Sequence, residues 1–272
     1  SPREGSFGNT AIKELIRSGF NGSVFPINPK HQSVEGYTCF PDLNALDRPP
    51  ELVLFCVANE RLEEQFKLAA DIGIKAAVIF GSCYLDSDTD KSSLLTRLRA
   101  MALDHNIRVC GGNCMGFRNI YGKISAGIFD TSHNVMPAGP VAIISHSGTA
   151  FGLLSELEGR LGYTFAVSAG QEISTTAADY LDYALTIPET RCIAMLLEMI
   201  RDPANFAQAV KRAHERGVPV VVVKVGRTEE AARFAVSHSG AMVGNDAAYD
   251  AFFERHGVVR VDGLDELVNA IQ

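Results

Sequence analysis

Short apolar runs alternate along this chain with amphipathic stretches, and small glycine-bearing loops close most of the runs. Val24–Ile27, Leu52–Val57, Ala76–Phe80, Ile107–Cys110, Val141–Ile144, Phe165–Ser168, Cys192–Leu197 and Val218–Val223 read as strands. Between them, Asn9–Ser18, Glu60–Asp71, Ser92–His105 and Thr176–Leu185 read as helices. A further helix opens at Ser145–Thr149 and runs to about Leu161; another carries Pro203 in its first turn and runs to Glu215; a last one starts at Asp246. Proline is tolerated there because the first helical N–H groups have no intrahelical acceptor. Apolar runs too short for helices, separated by helical patterns, demand parallel strands joined by right-handed crossovers. The fold class is therefore α/β.

The alternation fades across Tyr121–Ala138, which carries weak strand signals and Pro137, and then restarts. Two α/β domains follow: residues 1–137, Rossmann-like, and residues 138–272, flavodoxin-like, both with parallel sheets. A length of 272 residues suits two ordinary domains. A net charge of −7 with no basic cluster argues against a nucleic-acid partner. No apolar run approaches the length of a membrane span, so no membrane partner is expected. The six cysteines are scattered; Cys110 and Cys114 are the closest pair, with no second pair to complete a zinc site, and no metal is expected on this chain. Buried free thiols in a reducing, cytoplasmic compartment are the expected state.

One stretch stands apart. Lys224-Val225-Gly226-Arg227-Thr228 follows the run Val220–Val223, and Ser237-His238-Ser239-Gly240-Ala241 follows it before the Asp246 helix. A histidine among serine and glycine at a strand exit is poorly placed for core packing. Ligands bind at the carboxyl ends of strands in open α/β sheets. The Ser237, Ser239 and Gly240 amides and hydroxyls suit an anion there; the plain alternative for His238 is a surface histidine in a turn. Ser145-His146-Ser147-Gly148-Thr149 repeats the Ser-His-Ser-Gly pattern at a strand-to-helix turn. Such a turn offers unpaired N–H groups and a positive dipole end, although Ser and Thr also favour this position simply as helix caps. Two such turns suggest a shared phosphate. Glu198 ends the run Ile193–Leu197. It is either a surface carboxylate or a partner that fixes an imidazole tautomer and leaves the other nitrogen nucleophilic.

Lys-x-Gly-Arg-Thr-Glu, Ser-His-Ser-Gly-Ala, Gly244, a helix and Gly-Val-Val-Arg-Val-Asp together resemble the phosphohistidine segment of the NDP-forming acyl-CoA synthetases, the superfamily of succinyl-CoA synthetase. The resemblance covers nearly the whole chain. It implies that His238 is phosphorylated between two helix starts, one here at Ser145, Ser147 and Gly148 and one on an ATP-grasp domain. It implies that Glu198, in Leu197-Glu198-Met199-Ile200-Arg201-Asp202, orients that histidine. His146 stands where the family usually has Gln or Arg, so its role is accessory. The implied reaction joins a carboxylic acid and CoA at the expense of ATP, through acyl phosphate and phosphohistidine. ATP/ADP and Mg²⁺ belong to the ATP-grasp partner, since nothing in this chain resembles that domain. An oligomer is expected.

The first domain resembles the family's CoA-binding domain. Pro26-Ile27-Asn28-Pro29-Lys30 matches its Pro-x-Asn-Pro turn, with Asn28 and Lys30 as candidate nucleotide contacts. Val57-Ala58, Gly81-Ser82 and Asn113-Cys114 are strand-end loops at one edge, and Gly112 stands where the family commonly has proline. Gly5, Ser6 and Gly8 look like the remainder of a Gly-x-Ser phosphate loop, and the helix Asn9–Ser18 calls for a strand before Ser1. Two other readings remain: a non-catalytic CoA-sensing module of an acyltransferase-type protein, and a nicotinamide-dependent dehydrogenase. The second lacks a complete Gly-x-Gly-x-x-Gly and has Asn28-Pro29-Lys30 where a ribose-binding acid should stand.

Overall fold

The computed structural model describes residues 2–89, 93–133, 136–157, 159–226 and 246–272. It divides into two compact units. The first comprises residues 1–118, 122–133 and 172–175, and the second residues 119–121, 134–171 and 176–272.

In the first unit, helix α1 (Phe7–Arg17) precedes a small antiparallel pair, β1 (Ser33–Val34) and β2 (Tyr37–Thr38). A parallel sheet follows in the order β3 (Leu52–Phe55), β4 (Ala76–Ile79), β5 (Arg108–Gly111). Leu52 lies opposite Ala76, and Ala76 opposite Arg108. The crossovers are α2 (Asn59–Asp71) and α3 (Leu94–Asp104). Leu62, Phe66 and Ala69 of α2 and Leu94, Leu98 and Ala102 of α3 share one core with Phe55, Ile79 and Val109. Their spacing of three and four residues puts each set on one helical face.

The expected strand Val24–Ile27 does not form. Only Ile27 makes a bridge, to Phe40. The Phe40 N–H donates to the Pro26 carbonyl and the Asn28 N–H to the Phe40 carbonyl, both at 2.8 Å. Pro26 has no N–H of its own, so the ladder cannot extend through it. Beyond the parallel sheet, β6 (Gly116–Asn119) and β7 (Ile124–Gly127) are hydrogen-bonded neighbours; β7 lies inside the stretch Tyr121–Ala138 read from sequence as weak strand, and β6 just before it. Gly116, at φ +87°, passes so close to Ala126 that a Cβ would lie 2.1 Å from its carbonyl oxygen.

The second unit contributes five strands in the order β12 (Val259–Val261), β11 (Val220–Lys224), β10 (Cys192–Leu197), β8 (Ala138–Ser145), β9 (Tyr163–Ser168). All four pairings are parallel. The connecting helices are α4 (Gly148–Ser155), α5 (Ala177–Thr186), α6 (Pro203–Glu215) and α7 (Asp246–His256), and α8 (Leu264–Ala270) closes the chain. Counted within the unit, this is the flavodoxin-like order 2-1-3-4-5. Winding reverses between β8 and β10, so the edge where those two strands end is the topological switch point. Helix α4 stops at Ser155, short of the expected Leu161. Ser155 Oγ donates back to the Phe151 carbonyl, and Gly159 and Gly162 follow. Both features weaken helix propagation.

Candidate functional site

Three neighbouring strands deliver polar side chains to the switch point. Ser145 at the end of β8 is in register with Leu196 of β10, and Leu197 with Lys224 of β11. His146 therefore leaves β8 beside the place where Glu198 leaves β10. The His146 N–H donates to the Leu196 carbonyl at 3.0 Å, and the Glu198 N–H donates to His146 Nδ1 at 3.1 Å. His146 is buried, whereas Glu198 is half-buried. Among the groups expected from sequence, Ser145 Oγ donates to the Ser147 carbonyl at 2.8 Å, and Ser147 Oγ caps α4 by accepting from the Ala150 N–H at 3.2 Å. Gly148 is the first residue of that helix. The two serine side chains thus shape the turn, and the helix start presents backbone N–H groups.

Lys224 completes this edge. Its Nζ donates to the Val225 carbonyl at 2.5 Å and lies 4.4 Å from the centroid of the Tyr249 ring. The Tyr249 hydroxyl accepts from the Ile200 N–H, which ties α7 to the turn after Glu198. Burial is the main influence on the Lys224 ammonium and pushes its pKa down to about 8; Asp246 and Glu198 pull it up and Arg260 pushes it further down. Arg260 itself pairs with Asp246 and Asp250. In the sequence Lys224 stands out only as the start of the Lys-x-Gly-Arg-Thr motif. The signal was a lysine continuing an otherwise apolar strand.

His238, Ser237, Ser239 and Gly240 lie outside the described residues. The described residues stop at Gly226, two residues beyond Lys224, and resume at Asp246.

In the first unit, the strand-end loops after β3, β4 and β5 meet at one edge through Asn59. Its Nδ2 donates to Ser82 Oγ at 2.8 Å and to the Tyr84 carbonyl at 2.9 Å; its Oδ1 accepts from the Cys83 N–H at 3.2 Å. A Cβ at Gly81 would lie 2.7 Å from Asn59 Oδ1, so a side chain there would displace the Asn59 amide. The Asn113 N–H donates to the Gly81 carbonyl at 2.7 Å, joining the third loop to the second. Val57 and Ala58 lead into α2, with Ala58 at its N-cap and no side chain capping the helix. Gly5, Ser6 and Gly8 form the start of α1, where Ser6 Oγ donates to the Arg3 carbonyl and does not cap the helix. Phe7 meets Phe80 edge to face at 6.1 Å, which seats this helix start by the strand ends. Asn28 Oδ1 accepts from the Lys30 N–H at 3.0 Å, so both belong to one tight turn, and Lys30 is exposed. The Cys114 thiol points inward, donating to the Ile79 carbonyl at 3.3 Å, and burial holds its pKa well above the usual thiol range. Asn59 was missed from sequence, where it stands just before the helix read as Glu60–Asp71.

Among the described residues no group of three or more His, Cys, Asp or Glu could hold a metal ion, and no helix is long and apolar enough to cross a membrane.

Fold and edge chemistry define a pair of α/β ligand-binding units, each with its polar loops at the carboxyl ends of parallel strands. Residues 1–120 match the family model described as CoA binding domain, and residues 138–272 the succinyl-CoA ligase like flavodoxin domain. The chain is 30% identical over 274 residues to acetate–CoA ligase [ADP-forming] of Methanocaldococcus jannaschii, covering 100% of this chain and 38% of that protein. It is 27% identical to the acetate–CoA ligase [ADP-forming] I subunit alpha of Pyrococcus furiosus, covering 98% of this chain and 58% of the subunit. The dinucleotide forming acetyl-coenzyme A synthetase 1 of Ca. Korarchaeum cryptofilum, solved in complex with phosphate and ADP, superposes with a TM-score of 0.87 at 26% identity, covering 96% of this chain and 56% of that one. The chain belongs to the ADP-forming acyl-CoA synthetase family, of which it carries the CoA-binding and succinyl-CoA ligase-like flavodoxin domains. It spans less than two thirds of the length of these relatives.

Proposed function

We propose that this chain is the CoA-binding and phosphoryl-relay part of an ADP-forming acyl-CoA synthetase. Residues 1–137 bind CoA, and residues 138–272 carry the relay. The observation that carries this reading is the edge formed by His146, Glu198 and Lys224 at the switch point of the flavodoxin-like unit. The segment holding His238 is covalently joined to that edge at both ends, through Gly226 and Asp246.

His238 takes the γ-phosphoryl group of ATP. The nitrogen–phosphorus bond forms as the bond to the ADP oxygen breaks, the electron pair leaves on ADP, and one proton is released. The phosphoryl group then passes to a carboxylate to give an acyl phosphate, and the CoA thiol displaces orthophosphate to give the thioester. The protein supplies mainly position and charge for such transfers. Glu198 orients the imidazole. The start of α4 at Ser145, Ser147 and Gly148, with Ser237, Ser239 and Gly240, receives phosphoryl oxygens. In the first unit, α1 and α2 both begin without a side-chain cap, at Ser6 and Ala58. Uncapped helix starts beside Gly81, Ser82 and Asn113 fit the pyrophosphate of CoA; Asn28 and Lys30 stand in a nearby turn, and Cys114 serves through its backbone. An ATP-grasp domain supplies the ATP/ADP and Mg²⁺ site. Six free thiols suit a cytoplasmic protein.

The test supplies an ATP-grasp partner and γ-labelled ATP, then maps the acid-labile, base-stable label. Label on His238, lost in His238→Ala and diminished in Glu198→Gln, is the expected result. CoA binding without any label in the presence of a competent partner would instead favour a CoA-sensing module. Acyl-CoA formation by this polypeptide alone would remove the need for the partner.

A further inference from the structure

Strand β11 ends on a lysine whose side chain lies inside the protein. Lys224 is 5% exposed. A lysine at a strand end ordinarily extends its stem until the ammonium reaches water. Here the ammonium donates to the Val225 carbonyl and rests over the Tyr249 ring, both neutral groups. The charged and titratable groups around it come from three elements. Glu198 stands at the end of β10, Asp246 and Tyr249 on α7, and Arg260 on β12. Asp246 shares its charge with Arg260 through a 2.6 Å ion pair. A desolvated ammonium in that position interacts strongly with any anion that enters beside it.

We propose that Lys224 is a binding residue for the phosphoryl group at this edge, its ammonium drawing the oxygens of the dianion away from the Glu198 carboxylate. The proposal rests on the phosphohistidine reading above. A phosphoryl group arriving on an imidazole brings close to two negative charges next to Glu198. Without a cation that arrangement is repulsive, and the transfer is opposed. Lys224 sits one strand away from Glu198, in register with Leu197, and near enough that the Glu198 charge raises its pKa. Its lowered pKa has a second consequence: the cation is lost within reach of physiological pH unless an anion holds it protonated. The empty site and the phosphorylated site therefore differ in proton uptake at Lys224.

The experiment uses this chain with its ATP-grasp partner and γ-labelled ATP. Single-turnover labelling is followed from pH 6.5 to 9.5 for the wild type, Lys224→Arg and Lys224→Met. Loss of one positioned charge should slow labelling of Lys224→Met by roughly 10- to 100-fold. The wild-type rate should fall as pH rises through about 8. Lys224→Arg should label and keep its rate to higher pH, because guanidinium does not titrate there. A lysine that only propped the strand would leave the pH profile unmoved. Equal labelling of Lys224→Met and wild type, or coincident pH profiles for Lys224→Arg and wild type, overturns the proposal. If Lys224→Met does not fold, the comparison of Lys224→Arg with wild type still decides. Absence of label on the wild type under conditions where acyl-CoA forms removes the phosphohistidine reading itself, which is a distinct result.

Discussion

The backbone N–H of Glu198 donates to Nδ1 of His146 across 3.1 Å, which links the ends of β10 and β8 at the switch point. An imidazole nitrogen that accepts carries no proton, so neutral His146 holds its proton on Nε2. Glu198 thus contributes to this edge through its main chain. His146→Asn places an amide oxygen near the position of Nδ1 and should retain the bond. His146→Ala leaves the Glu198 N–H without that acceptor and should cost about 1–3 kcal/mol of stability. Urea unfolding of the two variants tests this, and ¹⁵N spectra of the imidazole should report the Nε2–H tautomer. An Nδ1–H tautomer would contradict the assignment.

Glu14 is the charged centre of the first unit. Its fully buried carboxylate accepts from the Thr131 N–H at 3.1 Å and from Thr131 Oγ1 at 2.9 Å, and it pairs with Arg17 and Arg118. The bonds join α1 to β6 and to the loop after β7. Burial pushes the Arg118 guanidinium down to about 10, while Asp130 pulls it up. Glu14→Gln keeps the shape and removes the charge, leaving Arg118 without its buried counter-ion. Breaking such a pair typically costs about 3–5 kcal/mol. A matching fall in the unfolding free energy is expected, with α1 the first segment to lose amide-exchange protection. A loss of under 1 kcal/mol would show that Arg118 finds solvent or another partner.

What the sequence made legible was local. Cys192–Leu197 was expected and found as a strand, because an apolar run bounded by Arg191 and Glu198 has only one reading. Helix α6 ends at Glu215 as expected, and it begins at Pro203, whose fixed φ suits a first turn capped by Asp202. Strand β6 was not legible and β7 only weakly so, since Gly116 and Gly127 serve a backbone contact that leaves no apolar alternation. Val24–Ile27 misled for the opposite reason: its residues favour strands, but Pro26 removes a donor that pairing needs. Asn59 and Lys224 act through partners elsewhere in the chain, Ser82 and Tyr249 among them. A first-turn asparagine and a strand-end lysine advertise no such contacts. His238 was singled out from its neighbours alone, and its segment lies outside the described residues.

The buried thiols of the first unit predict alkaline destabilisation. Burial pushes Cys56 and Cys83 from 9.0 up to about 12, and holds Cys114 well above 9.0. Each pKa is higher in the folded state, so above pH 9 the folded chain keeps protons that the unfolded chain has lost. Stability from these groups is complete below pH 9 and is lost as pH rises towards 12. Each thiol contributes a slope of about 1.4 kcal/mol per pH unit in that window. Five of the six cysteines, all but Cys192, lie in the first unit, so thiol labelling under increasing urea reports mainly on it. The labelling midpoint should fall steeply between pH 9 and 10.5, and Cys56→Ala should flatten the fall by about a third. A midpoint independent of pH over that interval would contradict the burial of these thiols.

Asn59 should control CoA binding more than it controls folding. It sits at the start of α2, and its amide fastens the loop after β4 through Ser82, Cys83 and Tyr84. In Asn59→Asp the oxygen that accepts from the Cys83 N–H is kept, but the two bonds donated by Nδ2 are lost. A carboxylate in the first turn also gains from the helix dipole, by about 0.3–1 kcal/mol. These changes oppose each other, so the melting temperature should shift little. At the proposed pyrophosphate site the effects add instead. The loop is loosened, and a negative charge now faces a negatively charged ligand where an uncapped helix start had been favourable. CoA affinity should drop about tenfold or more, equivalent to roughly 1.4 kcal/mol. Raising the salt concentration should recover part of the loss, because the repulsive share is screened while the lost hydrogen bonds are not. Calorimetric titration of CoA at low and high salt, beside thermal unfolding of the same samples, separates the two contributions. Wild-type affinity in Asn59→Asp with normal folding would place the pyrophosphate away from the α2 start.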